Sequence, residues 1–585
     1  MTRTTPRVEA LEARDVPALI GALDPAFSPN TPAGVTDVVA GREFVDVAIQ
    51  QDGKLVAVSD NSGDFFVTRY NVDGSLDTAF GTNGVKTIDV QGAGQTDQAL
   101  AVAIDSQNRI VVVGSGGAAV SNFALVRLDP TGQTVQLNTS FHLGNAADGA
   151  VARDVAFQTD GTIVLAGDAK VGGDRDFAVA TVNAGTGTVV NSATRSLSAG
   201  DDSGRGVAVY QSGANVNKVV VVGQAATAGN NDIGVFQFTP TLGNDPAFNG
   251  GTFKTIDVSG NDDARGVAIT DSGSIVVAGR NGAADVDLVV AQLLPTGASD
   301  PAFNGGAVRT LTRTGSEIIQ NHPLAVQKNG KIVVVGDTNA GVDVGVFRLN
   351  ADGTPDAAFG TNGQQAFDVN GNDDANAVAV DGLGRIVVAG DDAVSAGFLL
   401  RVTGSLGLPA AVAASGNPTG ASPVFVTDGT KLTTTPFATP TPVAGAAVNS
   451  VLADVNGDGA LDLIAGTVAG GDRVVVLDGR DTTGATVLIS FQAFGGFTGG
   501  VFVAAADLNL DGRADVIVTP VLGGLGPRVA VFSGASLSAG GTTKLADFNG
   551  IADAVTGAAD NSAGTIALVG ARVAVGDVNG DGIPD

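Results

Sequence analysis

The chain has 585 residues, 84 of them glycine, and 60 acidic residues against 32 basic ones give it a net charge of −28. That field excludes nucleic-acid binding, because phosphate recognition needs clustered positive charge and no run of basic residues occurs. The absence of cysteine removes disulfides, thiolate metal sites and cysteine nucleophiles together. Only four acids are glutamate (Glu9, Glu12, Glu43, Glu317) and the rest are aspartate. Glutamate favours helices, whereas aspartate favours turns, caps and hard-cation sites, so almost no helix is expected.

Residues 1–20 read as a disordered leader. Its first seventeen residues, basic and polar, lack the apolar core of an ordinary signal peptide, and no apolar stretch in the chain approaches the ~18 residues that span a bilayer. The segment Leu11 to Pro17, LEARDVP, resembles the LEPR-type element that opens many large bacterial surface proteins.

From there an apolar strand recurs as KLVAVS, RIVVVG, TIVLAG, KVVVVG, SIVVAG, KIVVVG and RIVVAG. Its first apolar residues, Leu55, Ile110, Ile163, Val219, Ile275, Ile332 and Ile386, are spaced by 55, 53, 56, 56, 57 and 54. A second apolar strand precedes each of these, usually across an Asp-Gly or Asn-Gly turn, the strongest short-range hairpin signal. A third strand such as FVTRY or GVFRL follows, then a loop carrying phenylalanine and a short fourth strand. Four antiparallel strands per unit make a propeller blade, and seven such units predict an all-β, seven-bladed β-propeller over 21–405. An open β-solenoid is the competing layout. Closure in a ring is favoured because one blade alone leaves both faces and its edges uncovered.

These units resemble the bacterial delta-60 repeat, with its aspartate-glycine hairpin, Arg-Leu strand and Leu-Asp-x-x-Phe-Gly loop. The match is strong in units two, five, six and seven and weakest in the fourth. Phe27, Phe80, Phe141, Phe248, Phe303 and Phe359 occupy the loop position and are expected to plug the gaps between blades, each large enough to fill one.

Residues 406–423 lie in an uncharged stretch rich in Ala, Gly, Ser and Pro and read as a linker. Beyond it, 424–585 carries three copies of one nonapeptide, DVNGDGALD, DLNLDGRAD and DVNGDGIPD. Alternating Asp, Asn, Asp and a ninth-position Asp around a glycine at position 6 supply the hard oxygens that Ca²⁺ needs, with a backbone carbonyl from position 7. The predicted calcium ligands are Asp454, Asn456, Asp458, Ala460 and Asp462, then Asp507, Asn509, Asp511, Arg513 and Asp515, then Asp577, Asn579, Asp581, Ile583 and Asp585. An EF-hand is excluded, since position 12 is Ala465 or Val518 inside strand-like sequence rather than an acidic ligand before a helix.

Together with Phe494-Gly495, Gly499-Gly500 and Gly526-Pro527, the loops resemble FG-GAP repeats, the blade units of integrin α-subunits. That resemblance implies an incomplete set of FG-GAP-type blades, calcium as the bound ion, and a role in adhesion or ligand binding. Asp585 is both the last residue and the ninth position of the third loop, so the chain reads as a fragment of a longer protein.

No enzyme is expected. His142 and His322, the two histidines, both read as ordinary loop residues, and the pairs Asp201-Asp202, Asp262-Asp263 and Asp373-Asp374 recur at one place in the repeat, as turn chemistry does. The expected protein is a secreted or cell-surface calcium-binding repeat protein whose ligand is an unidentified protein or polysaccharide, with no nucleic acid and no membrane span. The alternatives are a cell-envelope spacer without a ligand and, less favoured, a propeller-type carbohydrate-active enzyme. A chelator is expected to act on the C-terminal half and to leave 21–405 untouched.

Overall fold

Every one of the seven recurring apolar runs becomes the second strand of a four-stranded antiparallel sheet. The computed structural model describes residues 21–403 except 25–26, 29–33, 37–38, 62, 91, 93–95, 118–120, 145–148, 198–199, 228, 283–285, 314–319, 339–341, 383 and 393–395. It also describes 448–549 except 458–461, 468–470, 479–486, 509–512 and 521–527, and the strands Val412–Ala414 and Val424–Val426. The chain divides into two units, one formed by Ile20–Ser405 and one by Met1–Leu19 with Leu406–Asp585.

In the first unit the sheet built from Glu43–Ile49, Leu55–Asn61, Asp64–Tyr70 and Val85–Ile88 sets the pattern, and five more sheets repeat it in sequence. The second strands are buried on both faces, with Val111, Val112, Val220, Val333 and Val387 fully enclosed, because each sheet is sandwiched between two others. The seventh sheet is assembled differently. Asp374–Val380, Ile386–Asp391 and Ala396–Val402 supply three strands, and the fourth is Val39–Ala40 from the start of the unit. Leu23 and Val35 bridge Val402 and Leu400 of the same strand. One apolar cluster then joins Phe44, Leu55 and Tyr70 of the first sheet to Val387 and Leu399 of the seventh, so the sheets close on themselves as a β-propeller.

A polar clamp repeats beside the outer strands. In sheets one and six an arginine of the third strand pairs with an aspartate of the following loop and lies over its phenylalanine, Arg69 with Asp77 and Phe80 and Arg348 with Asp356 and Phe359, and in sheet seven Arg401 does so with Asp24 and Phe27 from the start of the unit. Gln237 and Gln292 take the arginine's place in sheets four and five and donate to Asp245 and Asp300. Phe27, Phe80, Phe248, Phe303 and Phe359 are fully buried and wedge against the turn of the next sheet. A Cβ added at Gly132, whose φ is +71°, would sit 1.8 Å from the Phe80 ring, so only glycine fits under this plug.

Phe141 departs from the expectation. It ends the strand Val135–Phe141 instead of sitting in a loop, is only half-buried, and packs at 5.8 Å on Phe123 at the edge of the cluster that joins the second and third sheets.

The second unit contains two more four-stranded sheets, Val448–Ala453, Asp462–Thr467, Arg473–Leu477 and Val487–Gln492, then Val501–Ala506, Asp515–Pro520, Arg528–Phe532 and Lys544–Asn549. One cluster that includes Ile464, Val474, Val516 and Phe532 binds them together. Part of the segment read as a linker is strand: Val412–Ala414 pairs antiparallel with Val424–Val426, since short apolar runs form a ladder where one is within reach. Helix is confined, among the described residues, to Gly534–Ser538 and three 3₁₀ turns.

Replacing Phe359 by alanine is expected to destabilise the first unit by about 3–5 kcal/mol, the usual cost of emptying a buried phenylalanine site. Phe141→Ala should cost clearly less, and urea denaturation of the two variants measures the difference.

Candidate functional site

The strands that flank the first two Asp-rich loops pair in identical register. Ala453 pairs with Asp462 and Ala506 with Asp515, so in each loop position 1 follows one strand directly and position 9 opens the next. This places both loops at the same end of two neighbouring sheets. Asp462 and Asp515 are fully buried and turn back on their own loops, accepting from Val455 N at 2.9 Å and Leu508 N at 3.0 Å. Asp454 Oδ1 accepts from Gly457 N at 2.7 Å, which starts the tight turn, and Gly457 takes the positive φ of +75° that the turn requires.

The loops also touch each other. Ala514 N donates to Asp454 O at 2.7 Å, and the Arg513 side chain lies over Gly457. Arg513 therefore has its side chain on the neighbouring loop, which leaves only its carbonyl as an ion ligand. Of the predicted ligands, Asp454, Asn456, Asp462, Asp507, Arg513 and Asp515 are described; Asp458, Ala460, Asn509, Asp511 and the entire third loop, Asp577 to Asp585, lie outside the described residues. Asp454, Asn456, Asp462, Asp507 and Asp515 carry carboxylate or amide oxygens, the donor chemistry of a hard cation.

Sequence reasoning missed Asp472. Its buried carboxylate accepts from Phe494 N at 2.9 Å, Gly496 N at 3.0 Å and Phe497 N at 3.2 Å, and so folds the Phe494-Gly495 loop about itself. The signal that could have found it is a lone aspartate just before an apolar strand.

In the first unit the paired aspartates serve the turns. In each pair the aspartate that directly precedes the strand caps the loop that enters it: Asp202 accepts from Leu197 N, Asp262 from Val258 N and Asp373 from Val369 N, each at 2.6 Å. Asp97 does the same for Val90 N at 2.8 Å. Asp263, a second member, pairs with Arg205 at 3.1 Å and Arg265 at 3.0 Å.

His142 is exposed just beyond a strand, but His322 is not an ordinary loop residue. Its ring lies 3.5 Å from both Asp46 of the first sheet and Asp154 of the third, although it belongs to the sixth. Three non-adjacent sheets of a ring meet only at its axis, so this cluster marks the axial channel. Beside it a small cavity is lined by Leu100, Arg153, Arg205, Arg265 and Asn321 with His322. The first strands carry a bulge at Leu100, Arg153, Arg205 and Arg265, and a bulge re-aims the extra residue's side chain.

Burial pushes the Asp46 carboxyl up to about 6, against the opposing pull of His322 and the Val102 and Val47 N–H groups. Burial also raises Asp154. For His322 burial works against the charged ring, but the two carboxylates outweigh it and the shift is upward.

Two family models agree with this architecture. Residues 50–80, 158–195 and 327–359 match the model of a β-propeller domain of unknown function, DUF5122, and residues 454–518 match that of an FG-GAP-like repeat. No curated protein matches the sequence. Among solved structures, a virginiamycin B lyase from Staphylococcus aureus is similar at 11% identity over 63% of this chain and 99% of that one, with a TM-score of 0.39. Chaetomium thermophilum Raptor is similar at 11% identity over 64% of this chain and 28% of that one, with a TM-score of 0.40. Sqt1 from Chaetomium thermophilum shows 15% identity over 61% and 78%, with a TM-score of 0.33.

The axial cluster has a pH signature. Asp46 and His322 both hold protons more tightly when folded, so their contribution is fully present below the unfolded values of 3.8 and 6.5 and is lost as pH rises through about 6 and beyond. Urea melts from pH 4.5 to 8 should show first-unit stability falling across that window, and Asp46→Asn should make the fall shallower.

Proposed function

We propose that this chain is a non-enzymatic, calcium-binding repeat protein, secreted or held at the cell surface, that acts in adhesion or ligand binding. The observation that carries the reading is the pair of Asp-rich hairpin loops at equal register on adjacent sheets, joined by the bond from Ala514 N to Asp454 O. Loops so coupled would respond together to an ion. Each loop sequence holds three carboxylates, and one Ca²⁺ offsets about two of those charges, which removes most of the repulsion in a confined turn. Asp454, Asn456 and Asp462 in the first loop, and Asp507 and Asp515 in the second, would supply side-chain ligands, with Asp458, Asn509 and Asp511 completing the sets and Asp577, Asn579, Asp581 and Asp585 forming a third. The carbonyls of Ala460, Arg513 and Ile583 would add the backbone ligand of each loop.

The non-enzymatic reading is supported by the use made of the paired aspartates, whose carboxylates are taken up by backbone N–H groups and arginines. A glycosidase would instead present two carboxyl groups across an open cleft.

Isothermal titration with calcium tests the metal. Ion uptake should fall when Asp454, Asp458, Asp507 and Asp511 are replaced by alanine, and calcium at 100 times its dissociation constant should stabilise the second unit by about 2.7 kcal/mol per site. Uptake unchanged by the four substitutions would count against these loops as the sites. Glycan and matrix arrays in saturating calcium test adhesion: specific capture supports it, and none leaves a structural spacer as the better description.

A further inference from the structure

We propose that Asp232, Asp257 and Asp262 form a divalent-cation site with the donor chemistry of calcium, located where the fourth propeller sheet meets the fifth. Asp232 lies in the third strand of the fourth sheet, Asn231–Phe238. Asp257 directly follows the fourth strand, Lys254–Ile256, and Asp262 directly precedes the first strand of the next sheet, Asp263–Ile269. One carboxylate oxygen from each comes within 4.8 Å of the other two. Oxygens bound to one Ca²⁺ at about 2.3–2.6 Å stand no more than about 4.6–5.2 Å apart, and the three oxygens fall within that spread. Magnesium suits it less, because it keeps several waters and is rarely held by an all-protein cage.

A second observation points to a ligand. Asp232 is only 8% exposed, and its Oδ1 is buried with no hydrogen-bond donor. A buried acceptor without a donor is costly, and such an atom in a native fold calls for a water or an ion. Asp262 differs, because its oxygens take N–H groups from Val258, Ser259 and Gly282. It can still bind an ion, since a carboxylate has about four lone-pair positions. Burial first, and then the charges of Asp257 and Asp262, raise the Asp232 carboxyl against the pull of the Thr227 hydroxyl, and a cation among the three would offset that rise.

The arrangement recurs in the repeat. In the first sheet Phe65 pairs with Ile88 as Ile233 pairs with Ile256 in the fourth. Asp64, Asp89 and Asp97 therefore occupy the corresponding positions, and their oxygens also come within 4.8 Å of one another. The cation site thus extends calcium dependence to the propeller, which the C-terminal nonapeptides alone would leave indifferent to chelation.

The test counts calcium ions per full-length chain by equilibrium dialysis. Asp257 is exposed, so Asp257→Asn removes a ligand charge without disturbing the core. In the otherwise native chain this change should lower the count by one. In a chain whose C-terminal loops carry Asp454→Ala, Asp458→Ala, Asp507→Ala, Asp511→Ala, Asp577→Ala and Asp581→Ala, calcium should still bind, and adding Asp257→Asn should again remove one ion. A count that Asp257→Asn leaves unchanged in both backgrounds overturns the proposal, as does a loop-substituted chain, still folded by circular dichroism, that takes up no calcium. A loss of one ion in the native background supports it whether or not the C-terminal loops bind.

Discussion

The structure of the first unit depends on closing a ring of sheets, each of which is apolar on both faces. A four-stranded sheet such as that of Leu55–Asn61 cannot present Val56 and Val58 to one neighbour and Ala57 to the other unless neighbours exist on both sides. Seven sheets in a circle satisfy this, but only if the last meets the first. The chain achieves it by splitting one sheet between its two ends, so that Val39–Ala40 pairs with Ala396–Val402. The ion pair of Asp24 with Arg401, at 2.8 Å, and the burial of Phe27 reinforce the same seam. Closure thus uses the clamp found at ordinary sheet junctions, with its parts drawn from opposite ends of the unit.

Polar chemistry in this protein divides by what the carboxylates do. Most described aspartates are consumed locally: Asp77 and Asp356 by arginine, Asp202 and Asp373 by the N–H groups of a turn, Asp472 by the Phe494 loop. Such residues repeat because the backbone problem repeats. The interesting exceptions are carboxylates that burial has raised and that no turn fully satisfies. Asp46 has found a histidine across the axis, while Asp232 faces two further aspartates. Both settle buried charge, one by a proton and one, on our reading, by a metal.

Much of this architecture could be read before any coordinates. The runs at Leu55, Ile110 and their successors are strands because their period, length and flanking turns leave little else, and the Arg-x-Leu and Asp-x-x-Phe segments mark the clamp. The N-terminal Leu-Asp-Pro-Ala-Phe at Leu23–Phe27 is the same loop without its preceding strands, a half-unit whose other half is RIVVAG and FLLRV near the unit's far end. Spacing identified the loop but could not say which sheet it completes, because that is a pairing over more than three hundred residues. His322 escaped for a related reason: its partners are Asp46 and Asp154, and no local pattern announces a meeting at the axis. Phe141 does pack against the cluster between the second and third sheets, but from the end of the seven-residue strand Val135–Phe141 that replaces the loop there, so it is less buried than its counterparts. The Asp-rich nonapeptides were legible because a tight turn draws its ligands from consecutive residues. Asp232, Asp257 and Asp262 come from three separate segments, and only the folded sheets bring them together.

An excess of aspartate over glutamate now has a physical explanation that composition alone could not supply. A short carboxylate can reach the N–H groups of its own turn, as Asp262 reaches Val258 and Ser259, whereas a longer one would overshoot and lose rotamer entropy. A fold with thirty-eight strands among its described residues has a turn at nearly every strand end, so it selects aspartate repeatedly and accumulates negative charge as a by-product. That charge, −28 in all, favours expansion of the compact state. Pairing with the 32 basic residues offsets only part of it. Divalent ions held between strands would remove charge where it is densest, at turns where sheet meets sheet, so the residues that shape the turns also create the demand for the metal.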